Sequence, residues 1–296
     1  YEYSPKNLIK LERKLFTCWF KWLTSGSQMD EYYRKEYLYL INLVEEGLEA
    51  NKGPYFMGQQ FTMIDILFAP FLERMSASLP YYKGLIIRGN MKWPCLQKWF
   101  GAMESRPTYI NSRNDYYSHV HNLPPQIGKC FSFLNEKEEK YALEIDGKLV
   151  TSWKYPLNSK NDIEGVIDET KNACNESKME AAYSIISNNK KVVRFACRGT
   201  GFKGYSKVDA DYSDPYFLPD ETMETSVDVA LRIISYSLIL SRNDAKNLNI
   251  PIVLNKKKLE KCMEYLRDRI GVPRDMKYPA ARHLRASINW FIDEIL

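Results

Sequence analysis

The sequence predicts an all-α protein built from two helical regions. Three observations support this. Apolar residues recur at three- and four-residue spacing along several long segments, the signature of amphipathic helices. A paired start signal stands at Thr62 and Asp65. Proline and glycine fall where those segments should begin or stop, at Gly84, Gly89, Pro94 and Arg106-Pro107.

Residues 6–24 place Leu8, Leu11, Leu15, Cys18, Trp19, Trp22 and Leu23 on one wide apolar face. The sequence GSQMD breaks the pattern. Residues 30–49 resume it with Tyr33, Tyr37, Leu40, Leu43 and Leu48, and Asp30 as cap. In GPYFMGQQFTMIDILFAP (53–70), Thr62 is read as an N-cap and Asp65 as the N3 residue reaching back to it. Phe61 and Ile66 have the spacing of a hydrophobic staple. Pro70 inside this helix removes a backbone bond and predicts a kink. Residues 81–90 read as a connector. Pro94 starts another helix that runs to Ser105 and stops at Arg106-Pro107. Residues 1–118 thus read as one compact helical domain.

HNLPPQIGKC (121–130) is turn-rich, so residues 119–160 are expected to form a junction with little regular structure. Within it, NEKEEKYALEIDGK fits a helix capped by Asn135 and Glu138 and closed at Gly147. A hairpin through Asp146-Gly147 is the alternative, and the Glu, Lys and Ala content favours the helix. Residues 147–160 look extended. Residues 161–296 read as a helical extension, with helices over 177–197, 221–240, 256–270 and 279–295. A long irregular stretch of residues 199–219 lies between the first two, a length that usually goes with binding or packing.

Composition narrows the function classes. Of 296 residues, 45% are hydrophobic and 27% charged, and the net charge is +5. That mild excess gives no basic face, which argues against nucleic acid as a partner. No apolar run approaches the roughly 20 residues of a membrane span. Six scattered cysteines, none at CxxC spacing, fit buried thiols in a reducing compartment.

Four constellations invite chemistry. GTGFKG (199–204) spells a dinucleotide fingerprint after KVVRFAC, which could pass as a strand. The segment that follows is not a helix, so loop glycines are the default reading. His119 and His121 could chelate a metal on an extended segment, given a third ligand, but hydrogen-bonded junction histidines are expected. Lys256-Lys257-Lys258 opens a helix against its dipole and reads as a solvated face or an anion contact. Arg274-Asp275, Arg282 and Arg285 read as an internal ion-pair set before they read as an anion groove.

The pieces GPYFMGQQFTMIDILFAPFLER and WPCLQKWFGAMESRPTY give residues 1–118 a resemblance to the C-terminal helical domain of cytosolic glutathione transferases. The Thr62/Asp65 box with Phe61 and Ile66 resembles that family's lock on its central helix. Three further pieces, NDYYSHVHNLPPQIGKC, VVRFACRG and YLRDRIGVPRDMKYPAARHLRASINWFIDEI, make the whole chain similar to a glutathione-transferase-like group of plant and algal plastid proteins. In that group an extra helical region follows the bundle.

The resemblance implies a glutathione-transferase-type bundle plus a second, mostly helical region. It places Cys18, Trp19 and Trp22 on one wall of the family's substrate cleft, a candidate surface for a ligand or partner. The family's thiol-activating groups lie on a thioredoxin-like domain, and nothing like it precedes Leu8. The expectation is therefore a chain without catalytic residues, cofactor or metal: a plastid accessory protein docking on a protein assembly, such as a peripheral subunit of a photosynthetic membrane complex. The alternatives are a glutathione transferase or oxidoreductase whose thioredoxin-like domain lies upstream of Tyr1, with glutathione as its cofactor, and a carrier of small apolar ligands. A cytoplasmic location is the alternative to the plastid.

Overall fold

The structure is a computed structural model that describes residues 3–149, 152–153, 157–158, 160, 162–165, 167–202, 217–248 and 255–296. It is all-α, with no strand among the described residues beyond isolated two-residue bridges. The chain divides into two compact units, Tyr1–Val150 and Thr151–Leu296.

The first unit contains α1 (Pro5–Thr24), α2 (Asp30–Ala50), α3 (Met63–Lys83), α4 (Pro94–Glu104), α5 (Pro107–Ser112), α6 (Tyr116–Ile127) and α7 (Glu136–Ile145). The long apolar face of α1 packs on α2 and α3. α3 is buried along most of its length and is the core of the unit. Its start is the double lock expected from the sequence. Thr62 Oγ1 accepts the Ile64 N–H at 3.3 Å, and Asp65 Oδ2 accepts the Thr62 N–H at 2.9 Å. Phe61 rests against Tyr55 and under the Arg106 guanidinium, 3.7 Å from its ring centroid, while Ile66 is 48% exposed.

α3 does not stop before residue 81. It carries a second internal proline, Pro80, and ends at Lys83 with Gly84 at φ +65°. The backbone angle requires glycine at Gly84, and a Cβ there would also push the Glu138 side chain aside. Asp30 begins α2 after a short 3-10 turn and does not cap it. Its carboxylate takes the Trp22 indole N–H at 2.7 Å and the Lys83 ammonium at 2.8 Å. α4 is capped from a distance: Glu45 on α2 accepts the Cys95 and Leu96 N–H groups at 2.7 and 2.8 Å.

The expected junction over 119–160 is corrected by α6 and α7, which belong to the first unit. Asp115 caps α6, and Tyr116, Tyr117, Val120 and Leu123 bury its apolar face. The Pro124-Pro125 pair does not break it, because Tyr82 replaces a lost donor (below). α7 has the Asn135/Glu138 capping box, which decides for the helix over the hairpin. The extended reading of 147–160 is corrected where the residues are described: Gly147 and residues 152 and 153 lie in turns, Gly147 at φ +70° and Trp153 at φ +53°, while residues 150–151, 154–156 and 159 lie outside the described residues.

The second unit contains α8 (Lys171–Ser187), α9 (Asn189–Ala196), α10 (Glu224–Ile239), α11 (Arg242–Lys246), α12 (Lys256–Arg267) and α13 (Tyr278–Glu294). α10 packs on α8 and α13, and α12 on α13. Ala181, Ala182, Ala230, Ala280 and Ala281 are fully or almost fully buried, small residues where helices meet. The expected single helix over 177–197 is two, broken at Asn188, and it begins earlier, behind the Thr170 cap.

Candidate functional site

α9 and its turn exclude the dinucleotide reading. KVVRFAC is helical, and Cys197–Thr200 continues as a 3-10 turn. Gly199 and Gly201 serve close packing. A Cβ on Gly199 would meet the Lys261 carbonyl oxygen at 2.4 Å, and one on Gly201 the Leu218 carbonyl oxygen at 1.9 Å. Residues 203–216, most of the long irregular stretch, lie outside the described residues.

α9 and α12 form one edge of a cavity of about 730 Å³ within the second unit. Ile185, Leu266, Ile270 and Leu284 form an apolar floor. The wall is an aromatic pair with a guanidinium at each end. Arg198 lies 5.4 Å from the Phe195 centroid, Phe195 and Tyr265 are 5.3 Å apart, and Arg269 stacks on Tyr265 at 3.7 Å. Such stacking holds the guanidinium planes in place at small entropic cost. Lys191 and Arg274 add two more cations.

One carboxylate, Asp275, faces these charges. Burial raises its pKa, but the Arg274 guanidinium and the Gly271 N–H outweigh burial and hold it below its usual range. Arg274 donates to both Asp275 oxygens, at 2.9 and 2.8 Å, so that anion is already neutralised. Lys191, Arg198 and Arg269 also line the cavity, over its apolar floor. The cavity's two serines offer no nucleophile, since Ser184 donates to the Glu180 carbonyl and Ser187 to the Tyr183 carbonyl. The arrangement suits binding of an organic anion with a flat apolar body.

The wall expected at Cys18, Trp19 and Trp22 is corrected. These residues are 5%, 1% and 0% exposed and belong to the first unit's core. Trp19 donates to Ser78 Oγ at 2.9 Å, Trp22 to Asp30, and the Cys18 thiol to the Tyr33 carbonyl. The helical spacing that marked them as one face also fixed that face against α2 and α3.

His119 and His121 lie on α6, not on an extended segment, and each has its own carboxylate. His119 Nε2 is 2.9 Å from Glu73 Oε1, and His121 Nε2 is 2.9 Å from Asp146 Oδ1. Among the basic residues, Lys258 pairs with Asp220 at 2.9 Å and Arg282 with Asp162 at 2.6 Å, while Arg285 donates to the Ile270 carbonyl at 2.6 Å. The internal ion-pair reading therefore holds for Arg282 with Asp162 and for Arg274 with Asp275, the latter pair at the cavity, whereas Arg285 meets a backbone carbonyl.

All six thiols are held above their ordinary pKa, chiefly by burial. Those of Cys18, Cys130 and Cys197 are pushed up to about 12. None is set up as a thiolate nucleophile.

With this geometry in place, comparison with known proteins finds a likeness within the first unit. Residues 15–111 match the family described as glutathione S-transferase, C-terminal domain. Over those residues the first unit is similar to a glutathione S-transferase C-terminal helical domain. Over 76 residues the chain is 32% identical to Glutathione S-transferase L2, chloroplastic, of Arabidopsis thaliana, a stretch that is 25% of each chain. The chain thus spans about a quarter of the length of the curated relative it matches. No solved structure matches it.

Proposed function

We propose that this chain is a glutathione-transferase-like binding protein, and that the second unit's cavity takes a small organic anion with an aromatic or similarly flat body. The observation behind this reading is the ladder Arg198–Phe195–Tyr265–Arg269 over an apolar floor. The same reading covers the apolar-ligand carrier foreseen from sequence, with the binding wall moved from Trp19 and Trp22 to α9 and α12. A plastid location and an accessory role on a protein assembly, in one form a photosynthetic membrane complex, belong to this proposal. The chloroplastic relative supports the location. Met179, Tyr183 and Ile186, at helical spacing on α8 and 52%, 71% and 55% exposed, support a protein-facing surface. No helix among the described residues is long and apolar enough to cross a membrane.

The test is a titration of the full chain with anilinonaphthalene sulfonate, a flat aromatic anion. Saturable binding is expected. It should weaken about tenfold or more when Lys191 and Arg198 are reversed to Glu, since charge-assisted contacts are each worth about 1.5–3 kcal/mol. Binding that ignores the reversal removes the cavity reading.

The second reading is a glutathione transferase. The match to a C-terminal domain favours it, because that domain is one part of a larger enzyme by its own description. Conjugation of glutathione to a chlorodinitrobenzene substrate by the chain would overturn the binding-only role. Co-purification with a large assembly, without such turnover, would support it.

A further inference from the structure

Glu169, Cys174 and His283 bring three different ligand atoms to one point inside the second unit. Glu169 precedes the Thr170 cap, Cys174 lies in the first turn of α8, and His283 is buried on α13. The three atoms lie within 4.8 Å of one another. His283 Nε2 is 3.6 Å from Cys174 Sγ and 3.4 Å from Glu169 Oε2. The Glu169 and His283 side chains are each 2% exposed, and Cys174 is 6% exposed.

Protons alone satisfy this cluster poorly. A neutral imidazole has at most one proton on Nε2, and both neighbours face that same nitrogen. Glu169 Oε2 also accepts the Leu157 N–H at 3.0 Å, but Oε1 is buried without a hydrogen-bond partner among the described residues. A buried carboxylate oxygen left so costs free energy that a cation would recover. A proton relay would set the thiol and the carboxylate on opposite ring nitrogens. Here they converge on one, as ligands do.

The two separations from His283 Nε2 also fit an ion. Bonds of about 2.3 Å to sulfur and about 2.0–2.2 Å to nitrogen and oxygen, at tetrahedral angles, put sulfur and nitrogen about 3.6 Å apart and nitrogen and oxygen about 3.4 Å apart.

We propose that Glu169, Cys174 and His283 form a binding site for a zinc-class divalent cation. As the sulfur–metal bond forms, Cys174 gives its thiol proton to solvent. Thiolate and carboxylate then balance the dication, and His283 contributes the Nε2 lone pair with its ring proton on Nδ1. Three protein ligands leave the fourth position to water. The neighbouring cations are Lys178 on α8 and Arg282 on α13, and Arg282 is occupied by Asp162. Because Glu169 and Leu157 exchange two backbone-anchored hydrogen bonds, the ion fastens that segment to α8 and α13.

The test adds Co²⁺ to the reduced full chain. A single equivalent should give a thiolate-to-cobalt charge-transfer band and the visible bands of a tetrahedral ion, both erased by Zn²⁺. Cys174→Ser should lose the charge-transfer band, Glu169→Gln should weaken binding, and Cys262→Ser, a buried control, should change neither. Absence of the band in the wild type, or its survival in Cys174→Ser, overturns the site. If Cys174→Ser fails to fold, as read by circular dichroism, alkylation of the wild type in mild denaturant decides. Zn²⁺ should protect Cys174 and leave Cys262 unprotected, and equal rates with and without Zn²⁺ refute the proposal.

Discussion

The Tyr82 hydroxyl donates to the carbonyl of Val120 at 2.8 Å. In an unbroken helix that carbonyl would accept the N–H of residue 124, which is proline here. One side chain on α3 thus stands in for the missing backbone donor of α6.

Tyr82→Phe should therefore leave a buried carbonyl unanswered and cost about 1–3 kcal/mol. Chemical denaturation would show a lower midpoint. In a Pro124→Ala background, where residue 124 again supplies an N–H, the cost of Tyr82→Phe should shrink. Equal costs in both backgrounds would refute the substitution of one donor for the other.

Asp65 is fully buried and accepts from Thr62 N and Oγ1, Phe56 N and the Trp99 indole. It joins the loop before α3, the start of α3, and α4. Asp65→Ala leaves these donors unsatisfied and should destabilise the unit by more than Thr62→Ala, whose loss is that of an N-cap, about 1 kcal/mol. The two midpoints, compared under one condition, check this.

Burial pushes the Glu73 carboxyl up, but His119, Arg113 and the Asn114 N–H together hold it below its ordinary 4.5. A carboxyl lowered in the folded state stabilises fully above its unfolded value, and that contribution is lost as pH falls through the folded value. Stability measured from pH 6 downward should fall below about 4.5. Glu73→Gln should flatten that part of the curve while lowering the plateau. A wild-type slope retained in the variant would assign the acid sensitivity elsewhere.

Cys95 and Cys130 are half-buried, and the other four cysteines are buried. Alkylation followed by mass spectrometry should mark Cys95 and Cys130 first, slowly at neutral pH and faster as pH rises, with all six reacting in denaturant. A native cysteine that reacts faster than the unfolded chain at neutral pH would reveal an activated thiolate, against the binding role.

Elements whose cause is local were legible in the sequence. The Thr62/Asp65 and Asn135/Glu138 boxes each close within three residues, and the apolar stripe of α1 repeats at helical spacing. Elements whose cause is distant were not. Pro124-Pro125 read as a turn because Tyr82, its compensator, lies far upstream. Cys18, Trp19 and Trp22 read as a surface because periodicity shows that a face is apolar and is silent on what covers it. The cavity is assembled from α8, α9, the 3-10 turn after it, α12, residues 269–276 and α13, and no local motif announces it. Cys174 and His283 are 109 residues apart, so ligand spacing gave no sign of their meeting.

The carboxylate of Glu45 on the amides of Cys95 and Leu96 also bears on how the chain is made. During synthesis the acid leaves the ribosome some fifty residues before the helix it will hold. The growing polypeptide always carries that anchor ahead of its target. A circular permutant that begins at α4 would emerge in the reverse order, its first helix bare until the acid arrives.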